Sequence, residues 1–396
     1  MGKKSTVTQI GLDVHRKFSL ASARDGSNRI LWRERLEHMD RNTLKKRLSG
    51  WPAGTPVVLE GTFGWGWMSD EIKAANLDPH LASSRKVAAW RDARGLAKTN
   101  KIDGDLLSEL WNHKPEPWHG RLRRWWEVWL APREIRDQRE LLRHRMSLVK
   151  TQTETKNRIH ALLHRHGIVC ELSDLFGVAG RRFLSLLVND ERLRETSRLT
   201  LKDQLILLDA LRRLIARATH QFRAQLRRSE PGQRLMTLPG VSTVLAYTLL
   251  AEIGDIGRFP KSRSLVRYSL LAPEADDSGE DRPGKPIGRK LGHAGRHTLQ
   301  WAWIEAAHGA VRKDVRLREV YNRRTENGKK DRNRGYITVA NVLCKIAFST
   351  LSKGTNYQEV PPERPGSKRP RSGEKKANFS RPGTGQSYHP MVTCSP

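Results

Sequence analysis

Three cysteines in 396 residues, Cys170, Cys344 and Cys394, are too few and too scattered for a disulfide framework, and none has the spacing of a thiolate metal site. A reducing, cytoplasmic setting is the expectation that follows. No uninterrupted apolar stretch approaches the roughly 18 residues of a membrane span. The opening MGKKSTVTQIGLD has no apolar core of the kind a secretory signal carries. Acid is the scarcer charge: 42 Asp and Glu stand against 73 Lys and Arg, a formal net charge of +31. Such an excess calls for an anionic partner, with nucleic acid the first candidate, although charge alone does not separate a ribosomal protein from a nuclease or a membrane-surface protein. From Pro361 onward seven basic residues face only Glu363 and Glu374, so this tail supplies +5 and residues 1–360 carry +26. The charge belongs mainly to the folded body.

The first part of the chain alternates strand and helix patterns. TVTQIGLDV, FSLASARDG and RILWRERL read as three strands, the last two turned at Asp25-Gly26. PVVLEG is a fourth, ending on Glu60 after a polar helix around 41–48. A helix over 65–75, a short strand at 80–82 and a helical region from Asp103 to Leu110 complete an α/β sheet carrying helices. Between about 125 and 167, Leu141, Leu148, Thr155, Ile159 and Leu162 recur at heptad-like spacing, and no proline falls between Pro132 and Pro231. This predicts a long helix paired with one over 199–228 as an antiparallel coiled-coil hairpin. Arg139, Arg143, Arg145, Lys150, Lys156, Arg158 and Arg165 crowd its other faces. A face of this kind is either simply solvated or a nucleic-acid contact, and the net charge favours the contact. LMTLPGVSTVLAYTLL then has the form of a helix-hairpin-helix turn, whose amides can hold a phosphate. Helices over 264–271, 296–311 and 337–351 follow, separated by a Gly/Asp-rich loop over 273–292 and the basic loop NRRTENGKKDRNRG. The Pro/Gly/Ser-rich chain from 356 on has the composition of a disordered tail.

Two sets of residues could carry chemistry. Asp13 and Glu60 each end a strand, and Asp103 sits on a later helix. Carboxylates so placed suit a two-metal phosphodiester site, with Mg²⁺ the natural ion for oxygen ligands. Asn100 shares a helix face with Asp103 and offers an amide oxygen, whereas Asp105 points to the opposite face. On spacing alone these acids read first as surface carboxylates, although an acid directly after the apolar run of VVLEG is poorly explained by solubility. His160, His164 and His166 cluster on the basic helix, the first two four apart, but Ala161 stands where a metalloprotease motif needs glutamate, and all three read as a solvated face. The second set is Ser278 in DDSGEDRPGKPIGRK, followed by Arg282, Lys285, Arg289, Lys290 and Arg296. A serine beside several cations could attack a phosphodiester. By pattern alone it is first a turn serine in a solvated loop, with no histidine base beside it.

GLDVHRKFSLASARDG, with LEGTFGWGWMSDEIKAANLDPHLASSRKVAAWRDARGLAKTNKIDGDLLSEL, resembles the RuvC-like N-terminal domain of the DEDD-type insertion-sequence transposases, the insertion-sequence family one-ten of bridge-RNA-guided recombinases. RELLRHRMSLVKTQTETKNRIHALLHRHGI is similar to that family's central coiled coil. LMTLPGVSTVLAYTLLAEIGDIGRFPKSRSLVRYSLLAPEADDSG and GRKLGHAGRHTLQWAWIEAAH resemble its C-terminal transposase domain. The resemblance runs from about residue 7 to 350. It implies an α/β RuvC/RNase H-like domain over 1–117, a helical coiled-coil region over 118–229, a transposase domain over 230–355 and a disordered basic tail over 356–396. It implies Asp13, Glu60 and Asp103 as catalytic, Mg²⁺-binding acids and Ser278 as covalent nucleophile. Asn100 stands where the family has its third acid, and His293-Ala294 where many relatives have Lys-Arg. The implied partners are donor and target DNA, a structured guide RNA, and further copies of the chain, as dimers assembling to tetramers, with acids and serine meeting between protomers. A junction nuclease lacking a covalent intermediate, and a decayed relative that only binds DNA and RNA, are the alternative readings.

Overall fold

The run QIGLDV alternates large apolar residues with others, the period-two signature of a strand with two different faces. It forms β1 (Gln9–Val14), and β2 (Phe18–Arg24) and β3 (Ile30–Glu37) continue it as an antiparallel meander. In this computed structural model residues 6–97, 99–118, 121–272 and 295–358 are described. Ser278, Arg282, Lys285, Arg289, Lys290, His293, Ala294 and the tail from 359 lie outside them.

The chain then alternates α1 (Arg41–Ser49), β4 (Pro56–Glu60), α2 (Trp65–Ala74), β5 (Asp78–Ala82), α3 (Ser84–Ala93) and α4 (Asn100–Leu110). A short hairpin, β6 (Glu116–Trp118) and β7 (Arg121–Arg123), precedes the two-residue strand β8 (Glu127–Val128). The main sheet has the order β3-β2-β1-β4-β5-β8, with β1, β4 and β5 parallel and the other neighbours antiparallel. Its two faces bury separate cores. Ile10, Leu12, Val57 and Leu59 pack with Leu44 and Leu48 of α1 and Met68 and Ile72 of α2. Val58 packs on the other face with Val87 of α3, Leu107 and Leu110 of α4, and the fully buried Trp126.

Beyond the sheet the described chain is helical. Pro132 sets the start of α5 (Arg133–Arg165), so this helix begins later than the heptad-like pattern, read from about 125, suggested. After α6 (Val178–Leu187), α7 (Glu195–Arg227) returns antiparallel to α5. Arg145 Nε donates to Thr219 Oγ1 at one end of the pair (2.9 Å), and His166 Nε2 and Ser197 Oγ meet at the other (2.9 Å). The far ends of α5 and α7 enclose a small core with α6, built on Ile159, Leu163, Leu184, Leu201 and Leu208. Their near ends, through Leu142, Phe222 and Leu226, join a larger core formed by α8 (Glu230–Met236), α9 (Thr243–Ile253), α10 (Ser262–Tyr268), α11 (His297–Lys313), α12 (Val315–Thr325) and α13 (Arg332–Lys353). The NRRTENGKKDRNRG stretch, expected to be a loop, instead supplies the last turn of α12 and the first of α13, leaving a loop only between them. By length and composition α13 could cross a membrane, but Val339, Ala340, Leu343 and Ala347 are buried completely in this core.

Candidate functional site

Strand alternation decides where the acids face. Ile10, Leu12 and Val14 point toward α1 and α2, so Gly11 and Asp13 point the other way, toward α4. The absent Gly11 side chain shows this directly. A Cβ built there would lie 2.1 Å from the Ser108 amide nitrogen and 2.4 Å from the Gly104 carbonyl oxygen, both on α4. On β4 the same logic turns Val58 and Glu60 to this face. β1 and β4 are parallel with Leu12 opposite Leu59, so Asp13 and Glu60 occupy the next register step at the carboxyl ends of adjacent strands. Asp103 lies in the first turn of α4, which is capped by Thr99 Oγ1 accepting from the Ile102 amide (3.3 Å). Asp13, Glu60 and Asp103 thus share one side of the sheet.

Each has protein company. His15 Nε2 approaches Asp13 Oδ2 at 3.0 Å, and Asp13 is only 9% exposed. Arg91 Nη1 on α3 donates to Asp103 Oδ1 at 3.3 Å, with both side chains mostly buried. His15 had a sequence signal, two residues after Asp13 on a strand end; Arg91 had none. Asp105, on the far side of α4, receives Ser22 Oγ (2.7 Å) and a bidentate Arg33 (2.9 and 2.8 Å). Burial alone would raise its pKa, but these donors outweigh it and the net direction is down. It is occupied as a structural anchor between α4 and the meander. Asn100 opens α4, but its side chain lies outside the described residues.

Carboxylate oxygens on one face fit a hard divalent cation in their chemistry. Among the described residues, however, no three His, Cys, Asp or Glu side chains are gathered closely enough to hold a metal ion. His160 and His164 are exposed on α5, and His166 is committed to Ser197.

The basic candidates divide. Arg143, Lys150 and Arg158 are exposed on α5, and Lys156 lies over the Phe176 ring at 5.1 Å. Arg145 turns inward to Thr219, where burial works against its charged form. α7 adds exposed Arg213, Arg217, Arg223 and Arg227, which sequence reading had not singled out because its apolar periodicity drew attention to the buried face. Arg296 is the N-cap residue of α11.

A sequence model of the transposase IS116/IS110/IS902 family matches residues 232–322, from α8 into α12. The transposase for insertion sequence element IS1111A of Coxiella burnetii is 26% identical over 238 residues, covering 57% of this chain and 61% of the relative. The transposase for insertion sequence element IS1328 of Yersinia enterocolitica is 23% identical over 373 residues, 89% of this chain and 99% of the relative. Residues 232–322 thus carry the sequence pattern of the IS116/IS110/IS902 transposases, and the similarity to these relatives extends over much of the chain. The putative transposase y4qE of Sinorhizobium fredii is similar at 26% over 254 residues, 63% of this chain and 56% of the relative, so the chain spans less than two thirds of this relative and of the one from Coxiella burnetii. Within the family match, Gly240 has φ +78° and sits in backbone contact with α11. A Cβ there would fall 2.1 Å from the Ala306 carbonyl oxygen. This contact fixes the Pro239-Gly240 turn at the start of the matched region.

Proposed function

We propose that the chain is a DNA transposase that breaks and rejoins phosphodiester bonds of its insertion sequence inside the cell, guided by a structured RNA. The observation that carries this reading is the shared face of Asp13, Glu60 and Asp103 at the carboxyl ends of β1 and β4, in a chain whose C-terminal part matches a transposase family. The strand order, with an antiparallel meander followed by parallel β4 and β5, supports an RNase H-like reading of this domain.

In this proposal Asp13, Glu60 and Asp103, with Asn100 as a neutral fourth ligand, hold Mg²⁺. Bound there, the ion would neutralise charge developing on the phosphodiester oxygens. Arg91 would release Asp103 to the ion, and His15 would hold the orientation of Asp13. Ser278 Oγ attacks phosphorus, forming a serine–phosphate ester as the bond to one DNA oxygen breaks and that oxygen takes up a proton. A free DNA hydroxyl then attacks the ester and restores the serine. Ser278 and the acids belong to different parts of the chain, and the proposed site is completed between copies in a dimer or tetramer. The exposed arginines and lysines of α5 and α7, with Arg282, Lys285, Arg289, Lys290 and Arg296, contact DNA and RNA backbones while base pairing supplies sequence.

A suicide DNA substrate should trap a covalent adduct in the wild type that vanishes in Ser278→Ala. An adduct that persists in this variant removes Ser278 from the role, and cleavage without an adduct makes the protein a junction nuclease. Asn100, together with the Arg91–Asp103 ion pair, favours a second reading, binding without cutting. Asn100→Asp separates the two: a restored or increased Mg²⁺-dependent cleavage supports the metal assignment. Sequencing of RNA that co-purifies should yield one structured species, and bulk host RNA would count against guidance.

A further inference from the structure

A buried polar network in the C-terminal body lies outside the acid site. Arg139, 6% exposed, donates Nε to the Ala251 carbonyl (2.9 Å) and Nη2 to the Glu252 carbonyl (3.1 Å). Arg258 Nε donates to the Ile253 carbonyl (2.9 Å), and its guanidinium packs between the Trp129 and Tyr268 rings, 4.4 Å from each centroid. These two arginines satisfy the last carbonyls of α9, where the helix dipole favours cations. Arg296 completes the set. Its Nε donates to the Tyr268 hydroxyl (3.0 Å) and lies 3.6 Å from Glu252 Oε2, which is itself 3.7 Å from Arg139 Nε.

Two guanidiniums, those of Arg139 and Arg296, therefore share one buried carboxylate, Glu252, which is 2% exposed; of Glu252, Arg258 reaches only the carbonyl (3.4 Å), and Asp255 acts on Arg258 from the surface. The α9 dipole answers about half a charge of the excess. Tyr268 records the remainder: burial pushes its phenol up, but Arg258, Arg296 and Arg139 pull it further down, for a net lowering. The Tyr268 hydroxyl accepts from Arg296, so its own O–H is left to donate, and among the described residues it has no bonded acceptor. The outer part of Arg296 remains solvent-accessible, with 40% of its side chain exposed. The pair also closes a segment. The Arg296 amide donates to the Tyr268 carbonyl (3.1 Å), so the residues flanking the 269–295 stretch, which contains Ser278 in sequence, are joined to each other.

We propose that Arg296 and Tyr268 form an oxyanion seat for one phosphodiester of a bound nucleic-acid strand, Arg296 supplying charge and the Tyr268 O–H a hydrogen bond, with Glu252, Arg139 and Arg258 holding both in place. This rests on the nucleic-acid reading above and assigns it a specific phosphate position.

The test reads tyrosine ionisation by absorbance at the phenolate band, wild type minus Tyr268→Phe, which isolates Tyr268 from the other tyrosines. Dimethyl phosphate, against chloride at equal ionic strength, should move the Tyr268 midpoint up by about one pH unit, because an added anion opposes the phenolate. An unmoved midpoint overturns the seat. In parallel, binding of the full chain to a DNA duplex and to RNA of the same sequence is followed against salt. Arg296→Gln should reduce the log–log slope by about 1 for the strand that uses the seat, and Arg296→Lys should restore it. Tyr268→Phe should weaken binding without changing the slope. A slope unchanged in Arg296→Gln, with wild-type binding intact, overturns the seat alone. No binding to either strand, with the dimethyl phosphate response present, supports the anion seat and overturns the nucleic-acid reading.

Discussion

At the scale of single residues, Gly11 sits where the packing of α4 on β1 leaves no room for a side chain. A methyl group there would meet three backbone atoms of α4, from Gly104, Leu107 and Ser108, none able to swing aside. Gly11→Ala should cost about 1–3 kcal/mol, the usual penalty of overpacking, read as a lower urea midpoint. It should also reduce the proposed DNA cleavage more than a surface alanine does, because α4 carries Asp103. His80 gives a second prediction. Its Nδ1 lies 2.7 Å from Glu127 Oε1 and its Nε2 2.9 Å from Asp78 Oδ2, with the Trp111 ring 4.5 Å away. Burial pulls its pKa down, but the two carboxylates outweigh this and the net direction is up from 6.5. The folded state binds the proton more tightly than the unfolded state. The stabilisation is therefore complete below about pH 6.5 and is lost as pH rises through the higher folded pKa. Urea midpoints measured across this range should fall with rising pH in the wild type, and the fall should be smaller in His80→Gln. Asp13 and Glu60 were legible in the sequence because a carboxylate that closes an apolar strand adds charge where burial disfavours it. The ion pair of Asp103 with Arg91 was not, since nothing in the spacing of residues 91 and 103 shows that α3 and α4 face each other.

At the scale of elements, α7 is joined to the C-terminal core by Phe222, which stacks on Tyr247 of α9 with centroids 3.8 Å apart and planes 7° from parallel. Tyr247 donates its hydroxyl to Gln225 Oε1 at 2.8 Å, and burial pushes the phenol's pKa well up. Phe222→Ala should destabilise the fold by about 3–5 kcal/mol, through lost burial, a cavity and the lost ring pair. Tyr247→Phe should cost only about 1 kcal/mol, the net worth of one hydrogen bond; chemical denaturation of both variants checks the contrast. Strong periodicity made the long helices readable, and so did the runs of β1 and β4. α6 was hidden by Gly177 and Gly180 at its start, although Gly180 is required there: a Cβ would lie 2.2 Å from the Leu175 carbonyl oxygen. α12 was hidden by its polarity, since VRLREVYNRRT buries only Leu317, Tyr321 and Thr325. β8 is two residues long and is defined wholly by its pairing with β5.

At the scale of the whole molecule, the net charge of +31 includes the exposed arginines and lysines of α5 and α7. If α7 contributes to the nucleic-acid face, the double variant Arg213→Ala/Arg217→Ala should lower the log–log salt slope of DNA binding by about 2, measured by fluorescence anisotropy. An unchanged slope would confine the contact to other surfaces. The two 33-residue helices are each about 50 Å long, anchored at one end in the C-terminal core and holding a separate small core at the other. Such a pair acts as a lever. A tilt of about 5° where Phe222 meets Tyr247 carries the distal core through about 2–3 Å. A small rotation of α7 at that ring pair is therefore a larger displacement at the core around α6.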